Sequence, residues 1–208
     1  SSLGCGQVLP CPYTADKARI VVQEMIDGIS LELVEKRLVT DQLVLTVGYD
    51  IENLTRPEIR KVYKGPVTTD RYGRRVPKHA HGTWNLPRAT SSSSELLEAM
   101  AALYDKIVNP ALLIRRMSLS ACHVVNEKMA KEREQKETFE QLDLFTDYAK
   151  KEAKEKEEQK KRERERRMQE ALLTIKKKYG KNAVLRGMNF EEGATAKERN
   201  GQIGGHQA

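Results

Sequence analysis

The sequence predicts an α+β domain: a four-stranded antiparallel sheet with two helices on one face, followed by a long charged helical tail. Three observations predict it. Two stretches repeat apolar residues at helical spacing, and four others read as strands, three of them alternating apolar with polar or small residues. These six segments run as strand, helix, strand, strand, helix, strand. The excess charge is concentrated late, after residue 123, where little could build a core.

Residues 2–9 read as a short strand ended by Pro10 and Pro12. Thr14 is placed to cap a helix, with Asp16 in its first turn. Ala18, Val22, Met25, Ile29 and Leu33 form one apolar stripe, and the helix is expected to end before Thr40. From Asp41 to Tyr49, Leu43, Leu45, Val47 and Tyr49 alternate with Val44, Thr46 and Gly48, as in a sheet covered on one side. From His79 to Leu86, Ala80, Gly82, Trp84 and Leu86 share one face and His79, His81, Thr83 and Asn85 the other. Ser92 and Glu95 have the spacing of a capping box. Leu96, Met100, Leu103 and Ile107 give the second helix its stripe, with Leu97 and Tyr104 beside it, and Asn109-Pro110 stops it. In the last strand, Leu112 to His123, Met117, Leu119 and Ala121 alternate with Arg116, Ser118 and Ser120.

If both helices cover the same face, Thr46, His81, Thr83, Arg116, Ser118 and Ser120 fall together on the other. Hydroxyls, imidazole and guanidinium are donors suited to phosphate. The face lacks the aromatic pairs of base-stacking sheets, which favours duplex backbone over single strands.

Residues 53–78 hold eight basic residues (Arg56, Arg60, Lys61, Lys64, Arg71, Arg74, Arg75, Lys78) against Glu58 and Asp70, a net of +6. Pro57, Gly65, Pro66, Gly73 and Pro77 argue against a long regular element. The stretch is either a solvated surface loop or an arm that touches nucleic-acid backbone; the interleaved Tyr63 and Tyr72 favour contact.

The 208 residues carry 37 Lys+Arg against 30 Asp+Glu, a net charge of +7, which favours a polyanionic partner. No run of about 18 apolar residues could span a membrane. Cys5, Cys11 and Cys122 are odd in number and lack CxxC spacing, which fits a reducing cytoplasm. Cys5 and Cys11 with His79 and His81 match no common zinc spacing, so no metal is expected.

The organisation expected is a DNA-binding domain over 1–123, a linker over 124–146, a charged helix over 147–180 with Gly180 as its cap, and a flexible tail over 181–208 that orders only on binding something. In the helix Lys, Glu, Arg and Gln dominate, and apolar periodicity is limited to Met168, Leu172 and Ile175. Within the linker, Gln141-Leu142-Asp143-Leu144-Phe145 is an apolar island in polar sequence. Such a cluster either packs back on its own domain or serves as a short peptide that another protein buries.

The order Gln-Leu-Asp-Leu-Phe resembles the sliding-clamp binding motif of bacterial DNA polymerases and repair proteins. The domain resembles the little finger of Y-family translesion DNA polymerases, nearest to the DinB/UmuC-type enzymes of Gram-positive bacteria. The segments that carry the likeness are Ser2-Leu-Gly-Cys-Gly-Gln-Val-Leu9, Thr40-Asp-Gln-Leu-Val-Leu-Thr-Val-Gly-Tyr49, Lys78-His-Ala-His-Gly-Thr83 and Leu113-Ile-Arg-Arg-Met117. Tyr179-Gly-Lys-Asn-Ala-Val-Leu185 and Glu198-Arg-Asn-Gly-Gln-Ile-Gly-Gly205 resemble the C-terminal tail of these proteins.

The resemblance implies a module of DNA repair and the SOS response that grips template–primer duplex through phosphates and is recruited by the sliding clamp. It makes Gln141, Leu142, Leu144 and Phe145 the clamp contacts. It makes Arg116 and Ser118 the phosphate contacts, with Thr83 and Lys78 beside them; the sheet face and the basic stretch themselves add His81, Arg74 and Arg75 as DNA-binding candidates. The family's catalytic palm uses an early Asp and a Ser-x-Asp-Glu motif to hold two metal ions, and neither motif occurs here. The chain is therefore expected to lack polymerase activity and to need no cofactor, while the parent polymerase would use Mg. The competing reading is a non-catalytic adaptor that binds protein or RNA.

Overall fold

The computed structural model describes residues 1–141, 148–185, 187–200, 202–203 and 206–207. Its sheet is held between two helices and open water. β1 (Leu3–Tyr13), β2 (Leu38–Tyr49), β5 (Ala80–Thr90) and β6 (Ile114–Cys122) pair antiparallel in the order β1–β6–β2–β5, and a short β7 (Val125–Asn126) pairs with the start of β2. Between β2 and β5 lie α2 (Glu52–Thr55), α3 (Pro57–Arg60) and a hairpin of β3 (Val67–Thr69) and β4 (Arg75–Pro77). The protein is thus α+β with an antiparallel sheet.

Helix α1 (Ala15–Glu35) starts where Thr14 Oγ1 accepts from Lys17 N, and α4 (Ser93–Ile107) where Ser92 Oγ accepts from Glu95 N at 3.2 Å. The capping box at α4 differs from the expected reciprocal form. Ser92 N donates to Thr90 Oγ1 at 3.0 Å, and the Thr90 hydroxyl in turn donates to the Glu95 carboxylate. Both helices bury their predicted stripes, Ile107 only in part. Val22, Met25, Leu33, Leu96, Met100 and Leu103 pack on Leu43, Leu45, Val47, Met117, Leu119 and Ala121. Each large side chain taken from water contributes about 1.5–3 kcal/mol.

Two strands run further than expected. β1 continues through Pro10 and Pro12, and β5 through Pro87. Both are the outer strands of the sheet, where a residue without an N–H costs no ladder bond.

The linker carries a helix, α5 (Glu127–Gln141), and the charged stretch forms α6 (Tyr148–Tyr179), closed by Gly180 at φ +100°. Lys156–Glu152 and Arg162–Glu158 pair along α6 at i,i+4 spacing, as expected of a solvated helix. Its second half, however, docks. Gln169 is only 3% exposed, and its Nε2 lies 2.9 Å from Ser30 Oγ, Ser91 O and Ser93 Oγ. Glu165 accepts from Ser92 Oγ at 2.6 Å and Ser94 N at 2.8 Å, so an acid sits at the N-terminus of α4. The expected stripe is not the docking face: Met168 and Ile175 stay exposed.

Part of the tail binds its own domain. Glu24, buried in α1, accepts from Thr195 N at 2.8 Å and from Ala196 N, at the start of α7 (Ala196–Arg199). Asn189 Nδ2 donates to the same carboxylate, and Thr195 Oγ1 and Arg199 NH1 donate to Gln7 Oε1 at 3.1 and 2.9 Å. A buried carboxylate needs such donors, and the tail supplies them. Among the described residues no helix is long and apolar enough to cross a membrane.

Candidate nucleic-acid interface

The strand register brings the predicted polar residues into rows on the face that the helices leave open. One row runs Gly6, Ser118, Thr46, His81; the next runs Gly4, Ser120, Val44, Thr83. A third begins Val8, Arg116, Gly48, and on the far side Gln42 stands between Cys122 and Asn85. None of these residues is a carboxylate. Arg116, Ser118, His81, Thr83 and Asn85 are exposed, while Met117, Leu119 and Leu45 between them are buried. The alternation in the sequence is therefore the physical device that sorts donors to one side and core to the other.

Two cross-strand bonds orient groups within this face. Thr46 Oγ1 lies 2.8 Å from His81 Nδ1, which leaves Nε2 as the ring nitrogen for a ligand, and Gln42 Nε2 donates to Asn85 Oδ1 at 2.9 Å. Gln42 and Asn85 add an amide pair that sequence reasoning did not place at the site, although the alternation already put Asn85 on this side. Gly48 was also missed as a site residue. A Cβ there would fall 2.6 Å from Arg116 Cγ and 2.8 Å from Arg116 Nε, so its bare backbone is the floor on which the guanidinium lies.

The basic arm leaves the sheet at the same end. Ala80 pairs with Val47, next to the Gly48–Arg116 pair, and Lys78 and the hairpin precede it. Arg56 is bound by Glu52 at 2.6 Å and Arg74 by Asp70 at 2.8 Å. Arg60, Lys61, Lys64, Arg71, Arg75 and Lys78 have no ion pair among the described residues. Lys78, Arg74 and Arg75 are exposed and belong to the arm rather than to the sheet face. Arg115, next to Arg116, is instead drawn to the buried Asp50 at 3.8 Å. Tyr63 is half-buried against the core and donates to Pro66 O at 2.6 Å; burial pushes its phenol upward. Desolvation also raises the Asp70 carboxyl, but hydrogen bonds from Arg74 N, the Arg74 guanidinium and Tyr72 N outweigh it and hold the group below its ordinary value.

Gln141 ends α5, and Leu142, Leu144 and Phe145 lie outside the described residues. Among the described residues no group of three or more His, Cys, Asp or Glu is placed to hold a metal. The Cys5 row faces the helices and His81 the open side, so these two do not converge. Comparison with protein-family models finds no match, and comparison with curated proteins finds none either.

Proposed function

We propose that this chain is the DNA-gripping and clamp-recruiting region of a translesion DNA polymerase, with no catalytic centre of its own. The observation that carries the reading is the open sheet face, whose paired rows are rich in donors and hold no carboxylate, beside an arm in which six cations form no ion pair among the described residues. Such a surface attracts phosphates and selects no base. Arg116, Ser118, Thr83 and the Nε2 of His81 are the phosphate donors, and Lys78, Arg75, Arg60, Lys61 and Lys64 follow the backbone beyond the sheet. The strand–helix–strand–strand–helix–strand order is what the resemblance to the little finger implies, and it supports the same reading. The sequence Gln141 to Phe145 supplies the attachment to the sliding clamp.

The test is duplex affinity as a function of salt. Displacing counterions from several phosphates gives a logarithmic slope of about −0.9 per phosphate. Arg116→Ala should lower that slope by about 1 and weaken all sequences alike. A flat salt response would instead favour a protein-binding adaptor.

A further inference from the structure

The hairpin of the basic arm displays one aromatic ring in a fixed cationic setting. β3 and β4 pair Val67 with Pro77, Thr68 with Val76 and Thr69 with Arg75. Asp70 organises the turn between them: Oδ1 accepts from Tyr72 N and Arg74 N, both at 2.9 Å, and Oδ2 accepts from Arg74 Nε at 2.8 Å. Gly73, at φ +78°, takes the left-handed step that this turn requires. The result holds Tyr72 out, 67% exposed, with the guanidinium carbons of Arg71 and Arg74 at 5.0 and 5.1 Å from its ring centre. Tyr63, by contrast, is committed to the core and to Pro66.

The two arginines are not equivalent. Arg74 is fixed by Asp70, whereas Arg71 has no carboxylate partner among the described residues. The tip therefore offers a planar ring, one anchored cation beside it and one cation free to turn to an anion. A nucleotide unit supplies the matching pair, a planar base and a phosphate. An acidic peptide would satisfy Arg71 and leave the ring without a partner. A base inside a duplex is already stacked on both sides, so only an unpaired one can meet the ring.

We infer that the hairpin tip is a stacking site for an unpaired nucleobase in a single strand flanking the duplex, with Tyr72 against the base and Arg71 on its phosphate. The inference rests on the duplex-gripping reading of the sheet face. The eight residue steps from Tyr72 to Ala80 span at most about 29 Å. The unpaired base is thus within about eight base pairs of the duplex held by the sheet, at roughly 3.4 Å per pair.

The experiment compares the full chain on a blunt duplex and on the same duplex with a single-stranded overhang that carries a fluorescent adenine analogue. The overhang should tighten binding about tenfold, the effect of stacking one base, and quench the analogue. Tyr72→Ala should abolish both effects while leaving blunt-duplex affinity unchanged, and Tyr72→Phe should retain them. Equal affinity for both probes, or an overhang preference that survives in Tyr72→Ala, overturns the inference. If the blunt duplex does not bind at all, the sheet-face reading fails instead. An isolated single strand then decides the stacking site: quenching lost in Tyr72→Ala sustains it, and quenching unchanged or absent ends it.

Discussion

Arg116 lies across Gly48, its Cγ 2.6 Å from where a Cβ on that residue would stand. The clash falls near the root of the arginine side chain, so a methyl group must tilt the whole guanidinium off the sheet. Gly48→Ala should therefore weaken duplex binding several-fold with no charge removed. Combined with Arg116→Ala it should add little, because the two changes act on one group. Anisotropy titrations of the two single variants and the double variant measure that coupling. Full additivity would separate Gly48 from the phosphate contact.

The turn at Asp70 gives the arm a pH dependence of defined sign. Its carboxyl is held low in the folded chain, so the ionised form is the one the hairpin stabilises. That contribution is present above the unfolded pKa, about 3.9, and is lost as pH falls through the lower folded value. Amide shifts of Tyr72 and Arg74 should report a local opening in acid, while the sheet persists. Asp70→Asn should place the turn near the opened state already at neutral pH.

Gln169 is the buried anchor of α6. Gln169→Leu removes the donor that Ser30, Ser91 and Ser93 share. Ser30 keeps its bonds to Ser91 O and Ser93 Oγ, so the loss is that of the hydrogen bonding itself, about 0.5–1.5 kcal/mol per bond. Urea unfolding should show this loss, and hydrogen exchange should show α6 losing protection around residue 169 before the sheet does. A stability equal to the parent would mean that α6 docks without this amide.

The proposed clamp motif should be separable from the sheet. Leu144→Ala together with Phe145→Ala should abolish capture of a bacterial sliding clamp and leave duplex affinity and its salt slope intact. A peptide covering residues 136–150 should bind the clamp with a micromolar constant, roughly −8 kcal/mol, lost in the doubly substituted peptide. Clamp binding that survives both substitutions would reassign Gln141 to Phe145 to packing within the chain.

The covered half of the sheet was legible in the sequence because burial there follows a strict period. The stripe from Ala18 to Leu33 and the alternation around Leu119 each have one physical solution. The open face followed from the same alternation, since whatever is out of phase with Met117 and Leu119 must face water. What was not legible depends on groups far apart in the chain. Glu24 and Thr195 are separated by 171 positions, and neither marks its neighbourhood as a docking site. Gln169 sits in a stretch whose composition fits a fully solvated helix, and only the serines of α1 and α4 make it a buried residue. Pro10 and Pro12 read as a strand end until the sheet order places them on its edge.

Glu127 and Arg166 join at 2.9 Å, so α5 and α6 leave the domain from a common root. From Ala149 to Lys161 every residue of α6 is exposed, and at about 1.5 Å per residue the helix reaches roughly 27 Å from Arg166 to Tyr148. A coil of that length would sample many end-to-end distances; a helix fixes one. A partner captured beyond its far end would be held at a set radius from the sheet. Its local concentration there would be high when the span matches the separation of the two sites and would fall steeply when it does not. Removing one full helical turn should therefore impair simultaneous engagement of both partners more than exchanging charges along the same helix.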